Sequence, residues 1–167
     1  RCSVVRWGNV LGSAGSVVHV FRRAIREGVP VPITNPDATR FWIEMPAAID
    51  FTVQVLTEMR GGEVFIPKIK AASVYEVYQA MALESGATWT EICDRDGGEK
   101  THEALISYDE CMRAEDIVWA YVIEPNWQMP AEREPWEGGT SGAITSDNAE
   151  RLTIPELRAA IAAVPEE

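Results

Sequence analysis

Positive charge is scarce in this chain: 15 Lys and Arg stand against 26 Asp and Glu, a formal net charge of −11 over 167 residues. Phosphate backbones are held by surplus cations, so this balance argues against a nucleic-acid partner. Histidine and cysteine are scarcer still. His19 and His102 are the only imidazoles, and the three cysteines, Cys2, Cys93 and Cys111, are widely spaced with no Cys-x-x-Cys pair. That set supports neither a metal site nor a disulfide framework, and three reduced, mostly buried thiols in a cytoplasmic protein are expected. No apolar run approaches the roughly 18 residues of a membrane span, and no signal peptide opens the chain.

Catalytic signatures are missing as well. Tyr75, Tyr78, Tyr108 and Tyr121 are followed four places later by Gln79, Ala82, Met112 and Pro125, so no Tyr-x-x-x-Lys pair exists. No Gly-x-Ser-x-Gly elbow presents a nucleophile. The glycine-rich stretch Gly8 to Ser16 lacks the Lys-Ser/Thr of a Walker loop. It also lacks the acid that a dinucleotide fingerprint places roughly 20 residues on to hold a ribose. No catalytic residue is assigned. The chain opens on Arg1 and runs at once into apolar residues, without the polar lead-in usual at a natural terminus, and reads as starting within a longer protein.

What is present is a sequence with 46% hydrophobic residues, enough to bury a core, in which strand-like and helix-like patterns alternate. Residues 2–7 read as a buried strand, followed by a glycine-rich turn. Ser16 caps a helix with Val17, Val20, Phe21, Ala24 and Ile25 on one stripe and Gly28 at its end. Val31 to Thr34 and Arg40 to Met45 are extended, with Asn35-Pro36-Asp37 turning between them. A helix opening at Pro46 carries the stripe Ile49, Val53 and Leu56. Further strands are expected over Glu63 to Ile69, Thr88 to Asp94 and Val118 to Glu124. Ser73 with Glu76, Ser107 with Glu110, and Thr153 with Glu156 have the spacing of capping boxes that open three more helices. The last of these buries Leu157, Ala160, Ile161 and Val164. The alternation predicts an α/β fold. Residues 1–124 form its body, 125–150 a proline-punctuated irregular arm, and 151–167 a C-terminal helix.

Several polar residues stand where α/β proteins place ligand contacts. Gly8 to Ser16 joins a strand to a helix; it is either a tight turn that needs glycines or a cradle of backbone amides for phosphate. Asn9 is polar at a strand end. Arg40, beside Phe41-Trp42-Ile43, is either a surface residue or an anion clamp. The loop Asp94 to Glu103 is either a solvated turn or a place where Arg95 faces phosphate and Glu99 accepts from ribose hydroxyls.

Read in succession, these segments carry a resemblance. Val5-Arg6-Trp7-Gly8-Asn9-Val10-Leu11-Gly12-Ser13 with Gly15-Ser16-Val17 resembles the R-(Y/F)-G-N-V-L-G-S-x-G-S-V segment of nucleotide-sugar 4,6-dehydratases, members of the extended short-chain dehydrogenase/reductase superfamily. Pro32-Ile33-Thr34-Asn35-Pro36 with Thr39-Arg40-Phe41-Trp42-Ile43 is similar to that family's P-I-T-D-P and T-R-F-W-I, and Gly62 to Ile69 to its G-E-I-F-V-P-K-I. Gly98-Glu99-Lys100-Thr101-His102-Glu103 resembles P-G-E-K-L-H-E, and Ser146-Asp147-Asn148 and Leu152 to Leu157 echo S-D-T-N and L-T-x-E-E-L. The forms Phe41-Trp42-Ile43 and Phe65-Ile66-Pro67-Lys68 look most like the inverting UDP-N-acetylglucosamine 4,6-dehydratases of surface-polysaccharide biosynthesis.

The resemblance implies the C-terminal half of such an enzyme: the last Rossmann strands plus the substrate-binding lobe. It implies a UDP-sugar ligand, with Asn9 and Arg40 on the diphosphate, the backbone of Pro32, Ile33 and Thr34 along the uracil, Glu99 on the ribose, and Arg95 as a further phosphate contact. NAD(P) and the Tyr-x-x-x-Lys pair would belong to the other half of a homo-oligomeric enzyme, leaving this chain alone with neither cofactor nor redox chemistry. A non-catalytic nucleotide-binding or structural module derived from such an enzyme is the alternative. Departures from the pattern remove positive charge: Asp96 stands where the family has arginine, with Arg95 one place early, and Ala14 also replaces an arginine. His19 takes the place of a proline.

Overall fold

The structure is a computed structural model that describes residues 1–83, 85–93, 99–125 and 142–166. The expected alternation is present, although the strands are shorter than the apolar runs that announce them. Of residues 2–7 only Val4–Val5 form β1, none of the six is buried as expected, and Asn9–Val10 form a separate strand, β2, where a turn was expected. Gly8 explains the break. A Cβ there would lie 2.4 Å from the Phe41 Cβ and 2.5 Å from the Phe41 carbonyl oxygen, so only glycine lets the chain cross this point. Gly12, at φ +73°, likewise leaves no room for a side chain against Val164.

Helix α1 (Val17–Glu27) comes next as expected, with the Ser16 hydroxyl accepting from the Val18 amide and Gly28 closing it in the left-handed region at φ 69°. β3 (Val31–Ile33) and β4 (Thr39–Ile43) succeed it, then α2 (Met45–Glu58), β5 (Val64–Pro67), β6 (Ala71–Ser73) and α3 (Val74–Ala82). The run Glu63 to Ile69 thus gives β5 alone, and β6 was not foreseen. β7 (Trp89–Glu91), β8 (Ala104–Ile106), α4 (Tyr108–Cys111), β9 (Ala114–Asp116) and β10 (Ala120–Ile123) complete the body. The arm's residues 126–141 lie outside the described residues; beyond them Ile144–Thr145 form β11, and α5 (Ile154–Ala162) ends the fold. All three capping boxes form.

Two sheets position the polar residues singled out by the sequence. In one, of order β1-β5-β10-β9, β1 pairs parallel with β5 and the other neighbours are antiparallel. In the second, of order β2-β4-β6, Asn9 stands opposite Trp42 in parallel register and Arg40 opposite Ala72 in antiparallel register. β3 pairs with β7, and β11 with β8. The core of the second region joins Val18 and Phe21 of α1, Val77 of α3 and Leu157, Ile161 and Val164 of the α5 segment. The C-terminal helix therefore packs into the core.

Two expectations are corrected. The stripe Ile49, Val53 and Leu56 is 54, 55 and 62% exposed, and α2 buries Ala48, Phe51 and Val55 instead. Both faces of α2 are apolar, so periodicity does not choose between them; Phe51 wins through an edge-to-face contact with Trp119 at 5.5 Å and packing on Phe65. The thiols are also not mostly buried: Cys111 is, whereas Cys2 and Cys93 are exposed.

Candidate functional site

Parallel pairing of β2 with β4 brings Asn9 beside β4, and β3 approaches from the other side. Between them lies a hollow of about 430 Å³ whose lining includes Asn9, Pro32, Ile33, Thr34, Arg40 and Glu99. Six of the seven expected contacts are thus brought together. The seventh, Arg95, lies outside the described residues. Ser13 to Val17 close one side, which turns the N-terminus of α1, with its partial positive charge, toward the space. Trp42 also lines the hollow, its indole N–H donating to the Ala72 carbonyl at 3.2 Å.

Arg40 is the centre of this geometry. Its side chain is 8% exposed, with one carboxylate on its Nη2 edge and another on Nε. Nη1 donates to the Thr39 and Thr101 carbonyls at 2.7 and 3.2 Å, and Nη2 to Glu99 Oε1 at 2.7 Å. Glu103 Oε1 lies 3.3 Å from Nε. Glu99 bridges, since its Oε2 accepts from the Thr34 hydroxyl at 2.7 Å. Burial holds the Glu103 carboxyl above its usual value; the Arg40 charge works against that rise and the Glu99 charge adds to it. A buried guanidinium needs such partners, because desolvating an unpaired charge is expensive.

Beneath Arg40 lies a network that spacing did not reveal. The Thr39 hydroxyl sits 2.7 Å from His102 Nδ1 and 2.7 Å from the fully buried Ser146 hydroxyl. Ser146 Oγ donates to the Thr39 carbonyl at 2.9 Å and accepts the Glu103 amide at 2.8 Å, while the Ser146 amide donates to the Glu103 carbonyl at 2.8 Å. With the serine proton so used, the threonine proton points to Ser146, and His102 Nδ1 must be the donor to Thr39. Thr39 and Ser146 are 107 residues apart, so no local pattern joins them. His19, the other histidine, places Nε2 3.0 Å from the Gly12 carbonyl and braces the glycine loop. No group of acids, histidines and cysteines suited to a metal occurs among the described residues.

Comparison with known proteins agrees with this architecture. The profile of the family described as "Polysaccharide biosynthesis protein" matches residues 1–125. The chain belongs to this family. Among similar proteins, the UDP-N-acetylglucosamine 4,6-dehydratase (inverting) of Campylobacter jejuni is 38% identical over 127 residues, covering 75% of this chain and 37% of the relative. A UDP-glucose 4-epimerase of Rickettsia typhi is 28% identical over 161 residues, covering 93% of this chain and 47% of the relative. The crystal structure of Pen from Bacillus thuringiensis superposes with a TM-score of 0.83 at 28% identity, covering 96% of this chain and 49% of that one. The chain therefore spans less than half the length of these relatives. Like the extended short-chain dehydrogenase/reductases, it is an α/β chain, and no helix among the described residues is long and apolar enough to cross a membrane.

Proposed function

We propose that the hollow holds the uridine diphosphate of a UDP-sugar, as the substrate-binding portion of a cytoplasmic, homo-oligomeric nucleotide-sugar 4,6-dehydratase acting on UDP-N-acetylglucosamine. The observation that carries this reading is the convergence of Asn9, Pro32, Ile33, Thr34, Arg40 and Glu99 on one space. In it, the Asn9 amide and the Arg40 guanidinium face the diphosphate with the N-terminus of α1, the backbone of Pro32 to Thr34 runs along the uracil, and Glu99 accepts from ribose hydroxyls. Arg95 is kept as a second cation for the phosphates. The dehydratase of Campylobacter jejuni, by its name, supports the sugar and the reaction class.

NAD(P) would supply hydride transfer in the complete enzyme. The residues of this chain do not fit it: the Gly8 to Ser16 loop has no ribose-binding acid after it, and no Tyr-x-x-x-Lys is present. No chemical step is therefore drawn through this chain, whose part is to bind and orient. Titration calorimetry of the chain with UDP should give saturable heat, and Arg40→Ala should weaken binding at least about tenfold. A heatless titration of the unaltered chain would remove the reading and leave a structural module.

A further inference from the structure

The five N–H donors of a guanidinium form a rigid fork, and those of Arg40 are unevenly committed. Both Nη1 donors are used by the Thr39 and Thr101 carbonyls, and Nε faces Glu103. An anion arriving from the hollow can therefore reach only Nη2, where Glu99 takes one of the two N–H donors at 2.7 Å. Two acceptors of like charge would crowd that edge, so one of them gives way. The two glutamates do not yield equally. Glu103 is tied through its own backbone to the buried Ser146, its amide to Ser146 Oγ and its carbonyl to the Ser146 amide, both at 2.8 Å. Ser146 is in turn hydrogen-bonded to Thr39, the residue before Arg40. Glu99 instead accepts on its other oxygen from the hydroxyl of Thr34, a residue that lines the hollow.

We infer that Glu103 is the positioning residue of the site: anchored through Ser146, it pairs its charge with Arg40 at Nε and leaves the Nη2 edge aimed at the hollow, while Glu99 is the carboxylate that an incoming phosphate oxygen displaces. This rests on the reading of the hollow as a diphosphate site. Glu99, turned off Arg40, then accepts from hydroxyls of the same ligand. Arg40 need not move, and the ordering cost of a long cationic side chain is met before the ligand arrives.

The test combines UDP titration with observation of the Arg40 side-chain N–H resonances. In the unaltered chain the Nε–H should be slow to exchange with water both before and after UDP is added, and only the Nη signals should shift on binding. Glu103→Ala should expose Nε–H to fast exchange and raise the UDP Kd about tenfold; Glu103→Gln, whose amide oxygen can still face Nε, should stay within about threefold. Glu99→Gln should keep the protected Nε–H. A merely structural role would lower the melting temperature of both Glu103 variants without separating them in Kd. Equal or tighter UDP binding by Glu103→Ala, or a protected Nε–H in that variant, overturns the assignment. If the unaltered chain gives no heat with UDP, the nucleotide reading falls, while the ligand-free exchange comparison still decides whether Glu103 holds Arg40.

Discussion

Helix α1 turns Val18, Phe21 and Ala24 inward and carries Arg22, Arg23 and Arg26 on other faces, whereas α2 buries Ala48, Phe51 and Val55 and leaves Met45, Ile49, Val53 and Leu56 between 49 and 62% exposed. α1 is a finished surface helix, with one apolar stripe and one polar face. α2 has the pattern of a helix packed between two layers, and the described residues supply one of them. The edge strand β1 beside its sheet repeats the theme, with Val4 55% exposed. The region around the hollow thus closes on its own core, while the region around α2 presents apolar surface. The difference places the larger closed core and the proposed ligand contacts on the α1 side.

The largest expected effect therefore lies there. Phe21 is 1% exposed in the core shared by α1, α3 and α5, and Phe21→Ala should cost about 4 kcal/mol, lowering the melting temperature by roughly 10 °C. Phe51, 8% exposed on the inner face of α2, lies under a helix whose far side is open and able to settle. Phe51→Ala should therefore cost less, about 3 kcal/mol. Thermal or urea denaturation of the two variants checks the order. A larger loss at Phe51 would place the main core on the α2 side and reverse the comparison.

An intermediate effect concerns the strap on β1's side. Arg6 donates from Nη1 and Nη2 to the two oxygens of Glu110 at 2.9 and 2.8 Å, tying the chain just after β1 to α4. The hydrogen bonds from Arg6 are the main reason the Glu110 carboxyl titrates at about 2 rather than at the usual 4.5, burial working against them. Its folded value is depressed, so its stabilisation is fully present above the unfolded value and is lost as pH falls from about 4.5 through about 2. Glu110→Gln should lower stability modestly at neutral pH and flatten the loss of melting temperature across that acid window. An unchanged acid slope in the variant would place the acid sensitivity elsewhere, for instance at Glu156, which Thr153 and Lys70 also hold at about 2.

Sequence reasoning reached the α1 side more fully than the α2 side, and the reason is physical. Around the hollow each signal was local: Ser16 and Gly28 bound a helix, Asn9 ends a strand, and Arg40 opens an apolar one. Ser16 and Gly28 mark the helix ends by themselves, whereas Arg40, a buried residue, stood between surface residue and anion clamp until the family resemblance grouped it with Asn9 and Glu99. On α2 every candidate position is apolar, and the choice between Ile49 and Phe51 is made by Trp119 and Phe65, residues distant in sequence that no periodicity contains. The clamp under Arg40 was hidden for the same reason: Thr39, His102, Glu103 and Ser146 belong to separate segments that meet only once β4, β8 and β11 are in place.

The smallest expected effect is the sharpest test of the comparison, because it is nearly nothing. Val53 and Leu56 are 55 and 62% exposed, so replacing both with lysine removes little that the described chain buries, and helix propensity favours lysine over valine. Val53→Lys with Leu56→Lys should change unfolding free energy by no more than about 0.5 kcal/mol each, while the same change on the inner face at Val55, 3% exposed, should prevent stable folding. The outer-face variant should also self-associate less at high concentration, since an exposed apolar stripe drives association, and sedimentation at several concentrations would read this directly. A destabilisation of several kcal/mol from the outer-face pair alone would mean that this face is covered in solution, and the contrast between α1 and α2 would then be one of partners rather than of finished and unfinished surfaces.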